Sequence, residues 1–574
     1  MKAWGPSPAK GWHTGAGFVS PEPKPLGSGA HRFLSERSLS GMHVSRNPVF
    51  LPILCLLLMA QTLYAYSPDA LYGNGSRDTA WQDPALPGNG FPQNGDPLAG
   101  NRQQAEWDRP LSRGFAATLG HGAIACGISL ASHGVLMLFN GFVTRVEWAF
   151  PTSYSIPRNL TTPWKWEDKD GFLVNHLGHP TQGALYVSAA RANGFGFYGS
   201  LFFAAFGSVT WEVFGESQHA SINDFYTTVP GGMVFGEILY RLFLQAHAAG
   251  VPAPLTFLLN PAAGFNRLVA RWDPPHVENN IYDFRAYIGG GYARTVYSIL
   301  GASVEGGRRE MFSSRGPFAD VGVRVIYGDP FVQDTRVPFR HFEFIASFGT
   351  DAVNQKDFRI FSGGNLFSFS PLYGERRAIS TGLSLHFDFV SLGRFGGYDG
   401  AIDMYNTALS WSLNQRRIIT PSDIWSRLAW LPDVYWGTRS HAGFVFFGAS
   451  KFFSQETWDE WERDLTNFGY GISIKHFSTV ELGRRNRFDV NTSYYFMWSY
   501  PGTSILSRGF VHWRFSDFTF SHLVSQRMSL GATFSRANER GFFPGEFPNT
   551  RKTHWSIRTF VIWNGNNIRT AGSC

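Results

Sequence analysis

The chain has 574 residues, of which only 16% are charged, 16% are aromatic and 63 are Gly. The formal net charge is +7, but the Arg residues are scattered and form no basic stripe. This pattern excludes a nucleic-acid-binding protein and favours anionic lipid headgroups as partners. The three cysteines, at positions 55, 126 and 574, give neither a disulfide framework nor a Cys-based metal spacing.

The N-terminal part predicts export. Residues 1–41 are rich in Pro, Gly and Ser and have no hydrophobic period, so we interpret them as a non-native extension before a start at Met42. Residues 42–65 contain a basic residue, an apolar run and a small residue at Ala65, which is typical of a secretory signal peptide. The Pro- and Gly-rich residues 66–109 predict a disordered linker.

Residues 110–270 predict a helical module. Its first stretch, 120–147, is nearly uncharged but is interrupted by Gly, Ser and His, so it is either a membrane-spanning helix or a helix buried in the module. Helices are expected at 183–191 and 198–216, and Ser221 with Asp224 has the form of a capping box. The run Pro230-Gly231-Gly232 predicts an interruption before a helix at 233–247, and 260–267 predicts a closing turn.

Conspicuous short runs mark this module. They are NHLGHPTQG, AAR, WEVFGES, SINDFYTT, GG, GE and YR, followed by NPAAGFNR. Together they resemble the bacterial domain-of-unknown-function family 3943, with a family core at 164–267. The resemblance implies a Gram-negative envelope or outer-membrane protein, and it implies no activity.

The C-terminal part, residues 280–563, changes to a period of two residues. In the run ISTGLSLHFDF, Leu383, Leu385, Phe387 and Phe389 share one face, whereas Ser384, His386 and Asp388 share the other. About twelve such segments alternate with turn signals, so we predict an antiparallel transmembrane β-barrel of 10–14 strands and an α+β fold class. Bends or bulges are expected at 289–291 and 363–364, and a polar tail at 564–574.

Ten polar residues stand singly in the otherwise apolar helical module, and we select them as candidate site residues. They are Asn175, His176, His179, Arg191, Glu212, Glu216, Asp224, Glu237, Asn266 and Arg267. Buried charges need partners, so we expect a polar network in which Arg191 pairs with Glu212 or Glu216. This network would make the module a plug or cap of the barrel.

The sequence also offers two chemical alternatives to this network. His176, His179, Glu212 and Glu216 could bind Zn or Fe, but there is no HExxH motif, so we expect no metal and no cofactor. An acyl hydrolase would need Ser and His side by side, and His386, His441, His476 and His512 lie in strands near Ser residues without a G-x-S-x-G motif.

These expectations define an exported protein of the bacterial outer membrane. The barrel would serve as a pore or transport protein or as an envelope scaffold with a helical plug, and its partners would be outer-membrane lipids and the barrel-assembly machinery. The alternative is a lipid-modifying or metal-dependent hydrolase that uses the His/Glu cluster. The sequence specifies neither a solute nor an oligomeric state.

Overall fold

The computed structural model describes residues 114–565, except for 167–170, 270–273, 276, 301–307, 332–334, 352–355, 375, 393–401, 453–464, 484, 504–507 and 544–548. The predicted extension at 1–41, the signal peptide at 42–65, the linker at 66–109 and all but the first two residues of the tail at 564–574 lie outside the described residues.

Helices occupy the described part before residue 270. They are α1 (Phe115–Phe139), α2 (Ser155–Thr161), α3 (His179–Ala192), α4 (Phe197–Phe214), α5 (Ile222–Ala248), α6 (Ala253–Leu259) and α7 (Pro261–Val269). Single π-helical turns, Asn140–Thr144 and Val174–Gly178, extend α1 and precede α3. The helices predicted at 183–191 and 198–216 therefore exist as α3 and α4.

Two local predictions in the helical module are wrong. Helix α5 runs without a break through Pro230. Its next residues, Gly231 and Gly232, approach α3 so closely that a Cβ on Gly232 would lie 2.6 Å from backbone atoms of Gly183. This packing outweighs the lost hydrogen bond of an internal Pro. The turn expected at 260–267 is largely helix α7, which Asn260 caps by accepting a hydrogen bond from the Ala263 N–H at 3.0 Å.

Twelve antiparallel strands close into a barrel, which confirms the predicted architecture. They are β1 (Ile281–Leu300), β2 (Arg308–Tyr327), β3 (Phe342–Asp351), β4 (Lys356–Tyr373), β5 (Arg377–Leu392), β6 (Ile402–Ile419), β7 (Val434–Phe452), β8 (Leu465–Leu482), β9 (Asn486–Ser499), β10 (Phe510–Leu523), β11 (Met528–Phe542) and β12 (Asn549–Asn564). Each strand pairs with its sequence neighbours, and β1 pairs with β12 to complete the ring.

The predictions for the two glycine runs have different outcomes. The register of β1 against β12 is continuous through 289–291, where a Cβ on Gly291 would lie 1.9 Å from the Ile557 carbonyl oxygen. These glycines therefore permit close approach of the strands instead of forming a bulge. A register shift follows Gly363 and Gly364, between residues 365 and 367 of β4.

The barrel is apolar outside and polar inside. In β5, His386 and Asp388 point into the lumen and are at most 3% exposed. In β6, Leu409, Trp411 and Leu413 point outwards and are at least 38% exposed, whereas Ser410 between them is 1% exposed. This arrangement reverses the polarity of a water-soluble protein.

The helical module packs against the outer face of this wall. Phe387 and Phe389 share the outward face of β5 with Leu385, yet both are fully buried. Phe235 of α5 covers Phe387 at a ring-centroid distance of 6.0 Å, and Phe172 covers Phe389 at 6.2 Å. The predicted plug or cap is therefore wrong. The polar residues of the helices pair with one another, so the module presents an apolar face that matches the outside of the wall and not the charged lumen.

Helix α5 follows the height of the wall. Tyr226 stacks on Phe447 near the end of β7, with ring centroids 5.2 Å apart. Arg241, four turns further along α5, donates to the Pro338 carbonyl at 2.8 Å, just before β3 begins. Since β3 and β7 run in the same direction, the start of one and the end of the other lie at opposite ends of the barrel.

Candidate functional site

The first group of buried polar contacts joins the starts of α3 and α5. His179 Nε2 lies 3.5 Å from Asp224 Oδ1, and its Nδ1 lies 3.2 Å from the Thr228 hydroxyl. Asn223 donates to the same Asp224 oxygen at 3.1 Å. None of these four side chains is more than 4% exposed, so the group ties two helices together out of contact with solvent.

Ser221 connects this group to α4. Its hydroxyl accepts from the Asp224 N–H at 3.3 Å, which forms the serine half of the predicted capping box. Its own N–H donates to Glu212 Oε2 at 2.8 Å. His176 Nδ1 lies 3.0 Å from the Phe172 carbonyl oxygen. Thus His176, His179 and Glu212 each face a different partner, and Glu216 is also fully buried.

These contacts do not assemble a metal centre. Within the described residues, no three His, Cys, Asp or Glu side chains are grouped closely enough to hold a metal ion. The four low-ranking candidates from the sequence, His176, His179, Glu212 and Glu216, therefore do not form a cluster of ligands there.

The second group is an ion triad centred on Glu237 of α5. Arg191 Nε lies 2.9 Å from Glu237 Oε2, and Arg241 Nε lies 2.8 Å from Oε1. The Arg191 guanidinium also lies over the Tyr240 ring, 5.0 Å from its centroid. The sequence predicts a buried ion pair for Arg191 with a glutamate of α4. The partner described here is Glu237, and a contact with Glu212 or Glu216 stays a prediction.

The third group fastens α7 to the end of α3. Asn193 donates to Asn266 Oδ1 at 3.1 Å, and Asn266 donates to the Ala192 carbonyl at 3.0 Å. Asn260 donates to the Ser188 hydroxyl at 3.0 Å. Arg267, by contrast, lies at the edge of the module, with Nη1 3.5 Å from His247 Nδ1.

Small residues bring α3 and α5 into backbone contact between these groups. A Cβ on Gly183 would lie 2.0 Å from the Thr228 carbonyl oxygen, and one on Gly236 would lie 3.0 Å from Ala184 backbone atoms. Gly232 and Gly236 form a G-x-x-x-G pair, a spacing used by tightly packed membrane helices. The candidate residues therefore stabilise helix packing, and Asn175 is buried with them.

The barrel lumen carries a second network of polar contacts, whose pairings the sequence does not identify. Eight basic and eight acidic side chains form ion pairs inside it: Arg285, Arg324, Arg359, Arg439, Lys475, Arg487, Lys552 and Arg558 with Asp283, Asp320, Glu343, Asp388, Glu481, Asp489, Asp517 and Glu539. The sequence feature that indicates this network is the period of two, because it places residues such as Glu343 and Lys475 on the polar face of their strands. Their opposite charges balance.

Lys475 lies at the centre of this network. Its Nζ is 2.5 Å from Asp388 Oδ2 and 3.1 Å from His386 Nδ1, and the Tyr495 hydroxyl donates to Asp388 at 2.9 Å. Nε2 of the same imidazole lies 2.6 Å from the Ser410 hydroxyl. His386 therefore contacts both Ser410 and Lys475, so its imidazole belongs to the ion-pair network of the lumen.

The other three histidines give no better pair. His441 lies in the lumen, with its ring centroid 4.8 Å from that of His386. His476 bonds to Ser440 at 2.8 Å, but both are exposed on the outward face of the wall. His512 also faces outwards, against the Phe542 ring.

A polar cleft opens beside Lys475. It has a cavity volume of about 20 Å³ and is lined by His341, Glu343, Asn365, Ser384, His386, His441 and Lys475, among others. His341, in the turn between β2 and β3, donates from Nδ1 to the Tyr327 carbonyl at 3.0 Å. Burial lowers the pKa of His341, which keeps its imidazole neutral. The cleft has room for about one water molecule.

These observations define a class: a closed twelve-stranded antiparallel barrel that carries a helical module on its outer wall. Residues 163–261 of the module match the family model described as Domain of unknown function (DUF3943), which confirms the resemblance. This matched segment contains most residues of the three groups of polar contacts described above. Asn266 and Arg267 lie outside it. No curated protein matches the chain.

Several solved structures of membrane barrels are distantly similar. An outer membrane channel from Pseudomonas putida F1 is 9% identical, covers 51% of this chain and 99% of its own, and has a TM-score of 0.25. The NanC porin is 9% identical, with coverage of 48% and 98% and a TM-score of 0.21. The translocator domain of autotransporter NalP from Neisseria meningitidis is 11% identical, with coverage of 50% and 89% and a TM-score of 0.21. Similarity at this level carries no argument about function.

Proposed function

We propose that the protein is a β-barrel of the bacterial outer membrane that passes small polar solutes through a gated lumen. The observation that carries the proposal is the reversed polarity of the wall. Its outward face bears Leu409, Trp411 and Leu413, whereas its inward face bears the balanced ion pairs. Only a closed barrel or a helix satisfies its backbone polar groups in hydrocarbon, and a polar lumen is what a conducting barrel requires.

The described conformation corresponds to a closed state of such a pore. Lys552 of β12 reaches across to the Lys451 carbonyl of β7 at 2.8 Å. Cα atoms of β6 and β12 approach within 8 Å of each other across the lumen. Trp513, Met497 and Met404 belong to an apolar cluster that fills one end of the lumen. Solute passage therefore requires the cross-barrel contacts to separate.

Planar-bilayer recording tests the proposal. The variant Lys475→Met/Asp388→Asn removes both charges of the central pair and leaves no uncompensated buried ion. We expect rare, brief conductance steps from the unmodified protein and frequent, long-lived steps from the variant. The matched control, Arg376→Ala/Asp423→Ala, removes an ion pair whose side chains are 63% and 57% exposed, and it should conduct like the unmodified protein.

A second candidate function, an envelope scaffold, is favoured by the helical module on the outer wall. If the unmodified protein and the double variant both fold, as judged by heat-modifiable gel mobility, and neither conducts, the pore proposal is overturned in favour of the scaffold. The proposal also includes processing of 42–65 and interaction with outer-membrane lipids and the barrel-assembly machinery. Recovery of a soluble protein that still begins at Met1 would contradict this location.

A further inference from the structure

The side of the helical module that faces away from the barrel is apolar. On α1, the exposed residues include Leu130, Val135 and Leu138. On α4, they include Phe202 and Phe214, and the exposed fraction reaches 67% at Val135 and 64% at Phe202. A water-soluble bundle would place its charged residues on such a surface.

Several polar residues of the same two helices point inwards. His133 of α1 lies 2.7 Å from the Tyr186 hydroxyl of α3, and Ser129 donates to the Ala125 carbonyl at 2.9 Å. On α4, Ser208 and Glu212 are at most 1% exposed. The helical module therefore has the same reversed polarity as the barrel wall to which it is attached.

The dimensions of the helices match a bilayer. Helix α1 and its π-helical extension, Phe115–Thr144, form a segment of 30 residues that is long and apolar enough to cross a membrane. This segment contains no Asp, Glu, Lys or Arg. At about 1.5 Å per residue it is about 45 Å long, which exceeds the hydrocarbon thickness of about 30 Å.

The position of the helical module on the barrel wall also indicates that hydrocarbon surrounds the module. Helix α5 touches the outer face near both ends of the barrel, through Tyr226 at one end and Arg241 at the other. The module is therefore beside the wall at the heights where the outward apolar residues of β5 and β6 lie. If hydrocarbon surrounds the wall there, it also surrounds the module.

We infer that the helical module lies within the outer membrane, beside the barrel, and that the exposed faces of α1 and α4 contact lipid acyl chains. This inference rests on the proposed outer-membrane location. The protein then combines a β-barrel with an intramembrane helical bundle, and the G-x-x-x-G contact between α3 and α5 packs helices in lipid. The buried ion triad of Glu237 satisfies charges that would otherwise face hydrocarbon.

Spin-label accessibility in lipid vesicles tests the inference on the full chain. Single cysteines are introduced at Val135 and Phe202, in a background in which Cys55, Cys126 and Cys574 are replaced by Ser. Ile557, 53% exposed on the outward face of β12, gives the wall control. Arg376, 63% exposed in the turn after β4, gives the aqueous control. Each label is then probed with oxygen, which concentrates in lipid, and with a water-soluble nickel chelate.

We expect the Val135 and Phe202 labels to show the high oxygen-to-nickel accessibility ratio of the Ile557 label, well above that of the Arg376 label. If both helix labels behave like the Arg376 label while the Ile557 label stays in lipid, the inference is overturned and the outer-membrane location stands. If the Ile557 label is also accessible to nickel, the proposed location itself fails, and the inference fails with it. Heat-modifiable mobility of each variant establishes that the barrel has folded.

Discussion

Arg241 donates from its guanidinium to the backbone carbonyl of Pro338 at 2.8 Å, which joins the last turns of α5 to the barrel turn before β3. The same side chain pairs with Glu237 at 2.8 Å. A single buried guanidinium therefore connects the ion triad inside the helical module to the barrel.

Glu237 should be the most sensitive residue of the triad. Glu237→Gln leaves Arg191 and Arg241 facing each other without a carboxylate, and loss of a buried partner costs about 3–5 kcal/mol. Arg191→Ala should cost less, because the pair of Glu237 with Arg241 remains. Thermal melts in detergent measure the order. The exposed Arg376→Ala control should change stability by at most about 0.5 kcal/mol, and a Glu237→Gln variant as stable as this control would contradict the prediction.

Glycine contacts between α3 and α5 should tolerate no added methyl group. Gly183→Ala and Gly232→Ala place a Cβ within 2.0 Å and 2.6 Å of backbone atoms, and overpacking of this kind costs about 1–3 kcal/mol. Gly120→Ala is the matched control, because no atom lies within 4 Å of its Cβ position on α1. This control should be neutral or slightly stabilising, since Ala favours helices. Equal melts for the three variants would show that the close approach does not exist.

His179 should act as a structural residue. Elemental analysis of the purified protein is expected to find no stoichiometric Zn or Fe, because His179 bonds to Asp224 and Thr228 within the helical module. His179→Ala should lower the melting temperature without changing metal content. Stoichiometric metal that disappears in His179→Ala would instead establish a metal centre.

Acidification should destabilise the turn around His341. Burial holds the pKa of this imidazole below its ordinary value of 6.5 in the folded protein. Below pH 6.5 the unfolded chain therefore binds a proton that the folded chain does not. The contribution of neutral His341 to the free energy of unfolding is therefore complete above pH 6.5. It decreases as the pH falls below that value. His341→Asn keeps an N–H donor for Tyr327 but does not titrate, so its melting temperature should fall less between pH 7.5 and 5. An equal fall in both proteins would argue against this role.

The sequence predicted the elements better than their mutual placement. The period of two in residues such as Leu383, Ser384 and Leu385 was sufficient to place twelve strands and their two faces, because that period is a local property. The capping of α5 by Ser221 was equally local. The interruption predicted at Pro230 is wrong, because the effect of this proline depends on how closely α3 packs against the following glycines.

Contacts between distant segments could not be read from the pattern. Arg191 was correctly expected to be buried with a carboxylate, but helical spacing alone does not select Glu237, 46 residues away, over the nearer Glu212. Likewise, the polar residues of the helices suggested a lumen-facing plug. In the structure these polar residues form their contacts within the helical module. An apolar face of the module therefore remains to pack against the outer wall. The pairing of Lys475 with Asp388 also joins residues 87 positions apart.

The helical module covers part of the outer wall from β2 to β8, but the outward residues Ile288 of β1 and Ile557 of β12 are more than half exposed. The seam at which the first and last strands pair therefore lies on the uncovered side. The helices therefore do not obstruct the pairing of β1 with β12 that closes the ring. The chain order, helices first and seam strands at either end of the sheet, is thus compatible with a bundle that rests on the wall without blocking closure of the ring.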